Sequence, residues 1–318
     1  MGRGGTRPRL RGRAVGMRTQ VGSVTLANPV MTAAGTAGHG DELARYVDLS
    51  ALGAVVVKSL AAEPWAGNPA PRVHETQGGM LNSVGLQGPG VEAWLRDELP
   101  PLLATGATVV ASIWGRTVEE YAAAAALLAA APPEVVAVEV NLSCPNLHHG
   151  RAMFAQLPDT AAEAVAATAA CGRPRWAKLT PMVADLVPIA AAARDAGAEA
   201  VTLVNTALGL AIDTDTRRLR LGGGGGGLSG PAIHPIAVRA VHDVHVALPV
   251  LPIVGVGGVT RGVDAVELIM AGASAVQVGT ATFADPRSVG RVADDVASWC
   301  RRRGVAEVTE LIGVARAR

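Results

Sequence analysis

One ten-residue stretch, residues 139–148, holds the side chains best suited to chemistry in this chain. It begins at the end of an apolar run, Val135–Val140, whose length and β-branched content predict a buried strand. After the strand come two amides, a hydroxyl and a thiol: Asn141, Ser143, Cys144 and Asn146. Pro145 ends the strand and restricts Cys144 to an extended conformation. A turn with an incidental cysteine would explain this motif alone, so the other predicted strand ends must decide whether it belongs to a site.

Lysine is rare in this chain, and both copies lie where a strand is predicted to end. Of the 28 Lys and Arg residues, only Lys58 and Lys178 are lysines. Each follows a run of apolar residues, Ala54–Val57 in the first case and Trp176–Ala177 in the second. Because the chain uses Arg for ordinary surface charge, a lysine at these two positions indicates a need for its compact ammonium group.

The overall composition excludes several classes of protein. A net charge of +1 gives no reason to expect a nucleic-acid or anionic-membrane partner. Residues 1–16 carry five Arg among Gly and Pro, which indicates either a nucleic-acid-binding arm or a disordered tail outside the native protein. The natural-looking start at Met17 favours the second interpretation, and residues 17–318 are predicted to form one domain. The Ala-rich run at 121–131 is too short to cross a bilayer, and no signal peptide is recognisable.

The three cysteines, Cys144, Cys171 and Cys300, do not form a metal or disulfide pattern. Their number is odd, no CxxC occurs, and a chain of 318 residues does not need disulfides for stability. We therefore expect a reducing cytoplasmic location, no bound metal and no iron–sulfur cluster built by this chain alone. Cys171 and Cys300 are most simply structural.

Eight apolar runs alternate with Ala-rich helical segments, which predicts an α/β fold, a single (β/α)8 TIM barrel. The predicted strands are Pro29–Ala34, Ala54–Lys58, Thr108–Ile113, Val135–Val140, Arg175–Leu179, Ala200–Val204, Val250–Val254 and Ala275–Val278. The predicted helices are Asp41–Tyr46, Val118–Ala131, Thr160–Ala170, Leu186–Ala196, Pro235–Val246, Gly262–Ala271 and Arg287–Arg303. Val21, Val24 and Leu26 predict a short N-terminal hairpin. Two long active-site loops, about 60–92 and 206–230, exceed the usual connection length, and the run Gly222–Gly227 indicates a mobile flap or a low-complexity insertion.

In such barrels the carboxyl ends of the strands form the active site. The last two predicted strands end in Gly257-Gly258 and Gly279-Thr280, and barrels commonly bind phosphate at these two ends through backbone N–H groups. Each turn alone could be an ordinary tight turn, but the two together favour a phosphate-bearing ligand. The sequence around Gly257 is not a dinucleotide fingerprint, because its third glycine position is Thr260.

A ligand anchored there would extend towards Lys58, Asn141 and Lys178. The ammonium groups could stabilise negative charge on a reduced flavin ring or an anionic substrate, and asparagine amides suit an amide-like heterocycle. Cys144 could act as a base, since a thiolate near cations has a lowered pKa, or as a nucleophile. No His or Asp is positioned by sequence to complete a thiol-protease arrangement, and His148-His149 are interpreted as rim residues.

These motifs resemble those of class 1 dihydroorotate dehydrogenases, which are FMN-dependent barrels. The Asn-Leu-Ser-Cys-Pro-Asn segment at 141–146 is similar to the catalytic loop of that family, and the resemblance covers most of residues 20–315. Further matching segments follow in order: Asn28-Pro-Val-Met-Thr-Ala-Ala-Gly35, Val57-Lys-Ser59, Gly67-Asn-Pro-Ala-Pro-Arg-Val73, Asn82-Ser-Val-Gly-Leu-Gln87, Asn205-Thr206 and Ser229-Gly-Pro-Ala-Ile233.

The resemblance implies a role for each matching residue. Cys144 resembles the base that removes a proton from C5 of dihydroorotate while hydride passes from C6 to flavin N5. The residues that resemble the substrate-binding set are Lys58, Asn82, Val84, Gly85, Leu86, Asn141, Asn146, Asn205 and Thr206. Those that resemble the FMN-binding set are Ala34, Gly35, Lys58, Ser59, Asn141, Lys178, Gly230, Gly257, Gly258, Gly279 and Thr280. Membrane-bound class 2 enzymes use Ser in place of Cys144 and carry an N-terminal helical extension, and this chain has neither feature.

The segments 147–154 and 205–213 resemble class 1B, the NAD-linked type. That class transfers electrons to a partner subunit holding FAD and a [2Fe–2S] cluster, which implies a homodimer of the chain within a heterotetramer. Two departures from the family are Gly88, where an Asn is frequent, and the run Gly222–Gly227. The first could loosen the substrate loop.

Four other interpretations stay open on the residues. They are a fumarate-linked class 1A enzyme, the FMN domain of a dihydropyrimidine dehydrogenase, a phosphate-binding barrel lyase or isomerase without flavin, and an RNA-binding protein using the Arg-rich arm. The second would be expected to carry His in place of Asn146. The third gives no reason for Cys144 among three amides.

Overall fold

The computed structural model describes residues 14–143 and 153–315, and eight of its strands form one parallel sheet. The strands of the described chain are β1 Thr19–Val21, β2 Val24–Leu26, β3 Val30–Thr32, β4 Val55–Val56, β5 Val73–Thr76, β6 Gly79–Asn82, β7 Val109–Ile113, β8 Val135–Asn141, β9 Arg175–Leu179, β10 Ala200–Leu203, β11 Ala207–Gly209, β12 Gly226–Ser229, β13 Ile253–Val256 and β14 Ala275–Val278. The eight-stranded sheet has the order β3-β14-β13-β10-β9-β8-β7-β4. Its strands are buried on both faces and rich in Val, Ala and Leu, as expected where helices cover a parallel sheet.

The two end strands of this sheet, β3 and β4, also approach each other. The amide of Gly53 donates to the Val30 carbonyl at 2.8 Å, and the amide of Val56 donates to the Thr32 hydroxyl at 2.8 Å. The sheet therefore forms a nearly closed barrel. The predicted TIM barrel is confirmed.

Helices connect the barrel strands and cover their outer face. The described helices are α1 Val91–Ala93, α2 Leu99–Ala104, α3 Val118–Leu128, α4 Pro158–Ala167, α5 Val187–Asp195, α6 His234–Ala247, α7 Gly262–Ala271, α8 Ala281–Ala284 and α9 Ser288–Arg303. A π-helical turn at Trp94–Glu98 joins α1 to α2. No helix in the described ranges is long and apolar enough to cross a membrane.

The predicted N-terminal hairpin is confirmed as β1 and β2, and it closes one end of the barrel. Val21, Val24 and Leu26 of the hairpin belong to one buried cluster with Trp176, Ala200 and Ala275, which are the first or second residues of their strands. Because this cluster fills the amino-terminal end of the barrel, the carboxyl-terminal end is the one left for a site.

The two segments predicted as long loops need a correction, because they contain the strands of a second sheet. Strands β5 and β6 lie in the first loop and β11 and β12 in the second, and together they form an antiparallel sheet of order β11-β12-β6-β5. The interpretation of Gly222–Gly227 as a flap or insertion is wrong for its last two residues, which open β12 and pair with β6 and β11.

The structure differs from the sequence prediction at two other places, a shifted strand and a helical segment that was not predicted. The seventh barrel strand is predicted at Val250–Val254 but lies at Ile253–Val256, because Pro252 has no N–H to donate to the ladder. The helical segment 91–104 is absent from the sequence prediction. This segment contains Pro100 and Pro101, and both lie in the first turn of α2, where their missing N–H groups cost nothing.

Gly227 allows the second sheet to pack against the site, so its substitution tests that packing. A Cβ at residue 227 would lie 2.6 Å from the Thr206 Cβ, a contact that a β-branched side chain cannot relieve by rotation. We expect Gly227→Ala to lower the free energy of unfolding by about 1–3 kcal/mol, measured by urea denaturation. Gly225→Ala is the matched control, because its nearest neighbour would be the Gly209 carbonyl oxygen at 3.3 Å. Equal stability of the two variants would contradict this packing.

Candidate functional site

A cavity of about 310 Å³ lies at the carboxyl-terminal end of the barrel, within the size range of small-molecule sites. The barrel strands supply its floor, and strands β6 and β12 of the second sheet supply one wall. Every described residue of the predicted site lines this cavity: Ala34, Gly35, Lys58, Ser59, Asn82, Val84, Gly85, Leu86, Asn141, Lys178, Asn205, Thr206, Gly230, Gly257, Gly258, Gly279 and Thr280. Two predicted residues, Cys144 and Asn146, and the predicted rim residues His148-His149 lie outside the described residues.

The amide of Asn141, at the end of β8, is fixed by its neighbours. Its Nδ2 donates to the Ser59 hydroxyl at 3.2 Å, and its Oδ1 accepts from Asn205 Nδ2 at 3.0 Å and from the Ser143 amide at 3.2 Å. Ser59 is held in turn by the Ser112 hydroxyl at 2.8 Å. A network of this kind presents the amide in one orientation.

Tyr121 supports the same strand end from behind the barrel. Its side chain on α3 is fully buried, and its hydroxyl donates to the Asn141 carbonyl at 2.6 Å. Phe154 packs edge-on against the tyrosine ring with 5.2 Å between ring centroids. The strand that leads into Ser143 and Cys144 is therefore held on both sides.

Lys178 lines the cavity, and its ammonium group is held in a buried network. The Nζ atom lies 3.1 Å from Glu139 Oε1 and 3.3 Å from Gln277 Oε1. The other carboxylate oxygen of Glu139 accepts from Gln277 Nε2 at 2.6 Å and from the Thr202 hydroxyl at 3.2 Å. These four side chains lie on four different barrel strands, so barrel closure assembles the network.

Lys58, which lines another part of the cavity, is partly desolvated. Burial, with a smaller contribution from the Arg72 guanidinium, lowers the pKa of Lys58 to about 8. Its ammonium donates to the Gln87 carbonyl, which fixes it against the loop that follows β6. Lys58 can therefore change its charge within the physiological pH range.

His39 lies beside Lys58 and is uncharged at neutral pH. Burial, and then the Lys58 ammonium, lower the pKa of His39 to about 4. A Cβ added at Gly88 would lie 3.2 Å from the His39 Nε2 atom, so a larger side chain there would crowd this histidine. The absence of a side chain at residue 88 therefore leaves room for this histidine.

The loop that carries Val84, Gly85 and Leu86 is held by hydrogen bonds to an upstream segment. Trp65 Nε1 donates to the Gly85 carbonyl at 3.0 Å, and the backbones of Trp65 and Gly88 exchange two hydrogen bonds. Leu86 has a φ of +60°, an unusual value for a leucine. Such strain is typical of functional sites, where the surrounding structure imposes it.

Two glycine turns, after β13 and β14, also line the cavity. Gly257 and Gly258 have positive φ values of +138° and +68°, and a Cβ on Gly258 would lie 2.7 Å from the His234 Cβ. His234 Nδ1 contacts the Gly257 carbonyl at 2.8 Å, which holds the turn in place. Gly279 and Thr280 line the cavity beside it, and exposed backbone at such turns is suited to binding phosphate.

The structure adds several residues that the sequence prediction missed. Thr36, Met80, Ser229, Thr260 and Phe283 also line the cavity, together with Ser143, which the sequence motif contained. Gln277 and Thr202 are supporting residues, and each interrupts an apolar strand with a polar side chain, a signal that could have indicated them. The described residues contain no group of three or more His, Cys, Asp or Glu that could hold a metal ion.

Comparison with known proteins agrees with this geometry. The profile of the family named dihydroorotate dehydrogenase matches residues 17–299. The chain is 46% identical to the catalytic subunit of dihydroorotate dehydrogenase B (NAD(+)) from Geobacter sulfurreducens and 47% identical to that from Trichlorobacter lovleyi. Each match covers 93% of this chain and 97% of the relative. A putative dihydroorotate dehydrogenase A (fumarate) from Solibacter usitatus is 44% identical over 94% of this chain and 98% of the relative.

The first two relatives support the predicted class 1B subclass. The profile match spans most of the barrel, including all described residues of the predicted site. The family predicted from the motifs is thus confirmed, and the chain belongs to the dihydroorotate dehydrogenase family.

Proposed function

We propose that this chain is the catalytic subunit of an NAD-linked dihydroorotate dehydrogenase. It oxidises dihydroorotate to orotate with FMN as the hydride acceptor, a step of de novo UMP biosynthesis. The observation that carries the proposal is the convergence of two lysines, three asparagine amides and two glycine turns on one cavity. Ser143 lines that cavity, and the proposed base Cys144 follows it directly in the chain.

The residues of the cavity fit FMN. One end offers the backbone of Gly257, Gly258, Gly279 and Thr280 for a phosphate, and Gly35 leaves the wall open, because a Cβ there would meet no atom within 4 Å. The other end offers Lys58, Ser59, Asn141 and Lys178 for a polar ring, with Ala34 and Gly230 alongside. When bound, FMN supplies the two-electron chemistry by accepting hydride from C6 of the substrate.

The substrate would be held by the amides and by Lys58. Asn82, Asn141, Asn146 and Asn205 offer donors and acceptors to the amide groups of the pyrimidine ring, with Thr206 beside them. Val84, Gly85 and Leu86 would hold the same ring from the strained loop. The ammonium of Lys58 would attract the carboxylate of dihydroorotate, an interaction that requires its charged form.

Cys144 is the proposed base for the proton at C5. The thiolate takes this proton, and the two electrons of the C5–H bond form the C5–C6 double bond as hydride leaves C6. The described network prepares the position, because Asn141 fixes the amide of Ser143 and Tyr121 fixes the end of β8. The wall formed by β6 and β12 limits the access of water to the reacting atoms.

The electron acceptor is proposed from the relatives. The two NAD-linked proteins are named as catalytic subunits, which favours a separate subunit with FAD and a [2Fe–2S] cluster, and a heterotetramer built on a homodimer of this chain. A fumarate-linked enzyme is the second candidate, because a relative with that name matches at similar identity. The proposed location is cytoplasmic, on the argument from cysteine content.

Replacement of the proposed base tests the reaction directly. Anaerobic addition of dihydroorotate to the FMN-loaded chain is expected to bleach the flavin absorbance. In Cys144→Ala we expect FMN to be retained and the bleaching rate to fall at least 100-fold, because base catalysis contributes about 10²–10⁴-fold. Cys171→Ala is the control, since that buried thiol lies away from the cavity. A wild-type protein that binds FMN but does not bleach would contradict the substrate, and normal bleaching in Cys144→Ala would contradict the base.

The charge of Lys58 predicts how orotate binding depends on pH. Below its pKa of about 8 the ammonium is charged and attracts the carboxylate, and above that pH the attraction is lost. We expect the Kd of orotate, measured by flavin absorbance, to rise up to about tenfold per pH unit above 8. Lys58→Met should bind orotate weakly with a flat profile over the same range. A flat profile in the wild type between pH 7 and 9 would contradict this role for Lys58.

The acceptor is tested by reconstitution. The chain alone is expected to reduce neither NAD nor fumarate at a useful rate, and a coexpressed FAD/iron–sulfur subunit is expected to give dihydroorotate-dependent NAD reduction. Co-purification of the two chains provides an independent measure of the assembly. Rapid turnover of the chain alone with fumarate would instead establish the second candidate.

A further inference from the structure

Glu139 is a buried carboxylate that the proposed reaction does not use. It lies on β8, two residues before Asn141, and its side chain is fully buried among apolar strands. An unpaired carboxylate at such a position would be strongly destabilising, so its partners indicate what it does.

The contacts of Glu139 lead directly to the cavity. One oxygen pairs with the Lys178 ammonium at 3.1 Å, and the other accepts from Gln277 at 2.6 Å and from Thr202 at 3.2 Å. Gln277 also accepts from Lys178 through its Oε1 at 3.3 Å. Both carboxylate oxygens of Glu139 and both polar atoms of the Gln277 amide are therefore engaged in this network.

This arrangement leaves the ammonium with a defined direction. Lys178 has three N–H donors. Within the described parts of the chain, two of them have the acceptors just named, and Lys178 also lines the cavity. The third donor is therefore available to a ligand in the cavity.

The pair is also balanced in charge. A buried ion pair is a poor source of stability, but removal of one partner leaves a costly lone charge. For the ligand, loss of the ammonium removes the positive group, and loss of the carboxylate releases that group from its position.

We propose that Glu139 is a positioning residue that acts through Lys178. It holds the ammonium in place, and it thereby sets how strongly the cavity stabilises negative charge on the ring of bound FMN. This inference rests on the FMN-binding part of the proposed function. It does not depend on the substrate, on Cys144 or on the electron acceptor.

The test compares Glu139→Gln, Lys178→Met and the double variant with the wild type. For each apoprotein, the Kd of oxidised and of reduced FMN is measured, which also gives the shift in midpoint potential. In both single variants we expect reduced FMN to lose about tenfold more affinity than oxidised FMN, which lowers the midpoint potential by about 30 mV for a two-electron couple. The double variant should equal Lys178→Met, because Glu139 acts on the flavin only through the ammonium.

Thr202→Val is the matched control within the same network. It removes one neutral hydrogen bond from Glu139 but leaves both charges, so its midpoint potential should stay at the wild-type value. A purely structural role for Glu139 would lower the thermal stability of Glu139→Gln without this shared shift in potential. Wild-type potential in Glu139→Gln, or additive shifts in the double variant, would overturn the inference.

Failure of the underlying function gives a different result. If the wild-type chain does not bind FMN at all, the proposed function fails at its first step, and the inference fails with it. If the wild type binds FMN and Glu139→Gln behaves like it, only the role of Glu139 is overturned.

Discussion

Closure of the parallel barrel is the constraint on which the rest of the structure depends. Each strand is short, and the side chains that line the cavity lie at or near its carboxyl end, so the site forms only when the strand ends meet. The network of Glu139, Lys178, Thr202 and Gln277 exists only because four strands bring one polar side chain each to the interior. The hairpin β1–β2 fills the opposite end with apolar side chains, which leaves one end for chemistry.

The barrel and the position of its site could be predicted from sequence because both depend on local patterns. Apolar runs with polar ends are visible at Lys58, Asn141 and Lys178, and the two glycine turns follow their strands directly. The residues chosen from these patterns line the cavity, and so do the described residues that only the family resemblance implied, such as Asn82 and Gly230. The roles of Cys144 and Asn146 remain predictions, because these residues lie outside the described ranges.

The second sheet could not be predicted in the same way. Its central pairing joins β6 to β12, and the Asn82 amide donates to the Gly227 carbonyl across 145 positions of sequence. Strand β12 begins with two glycines, so it lacks the alternation of polar and apolar residues that usually indicates a strand. The glycine at residue 227 instead allows the backbone of β12 to lie close to the Thr206 side chain. Likewise, nothing local to Gln277 reveals that its partner is Glu139, because that contact is made only by the folded barrel.

The pairing of β3 with β14 has a consequence for how the protein is made. Val30, near the start of the barrel, pairs with Val276, and the turn at Gly279 and Thr280 follows that last strand. A growing chain on the ribosome therefore lacks both barrel closure and one phosphate turn until nearly all of the barrel has been synthesised. Long-range pairing of this kind is slow to form, because the loop-closure entropy is lost before the contacts are made. A cofactor that needs both glycine turns can enter only a chain that has completed its barrel, which makes cofactor loading a report on barrel closure.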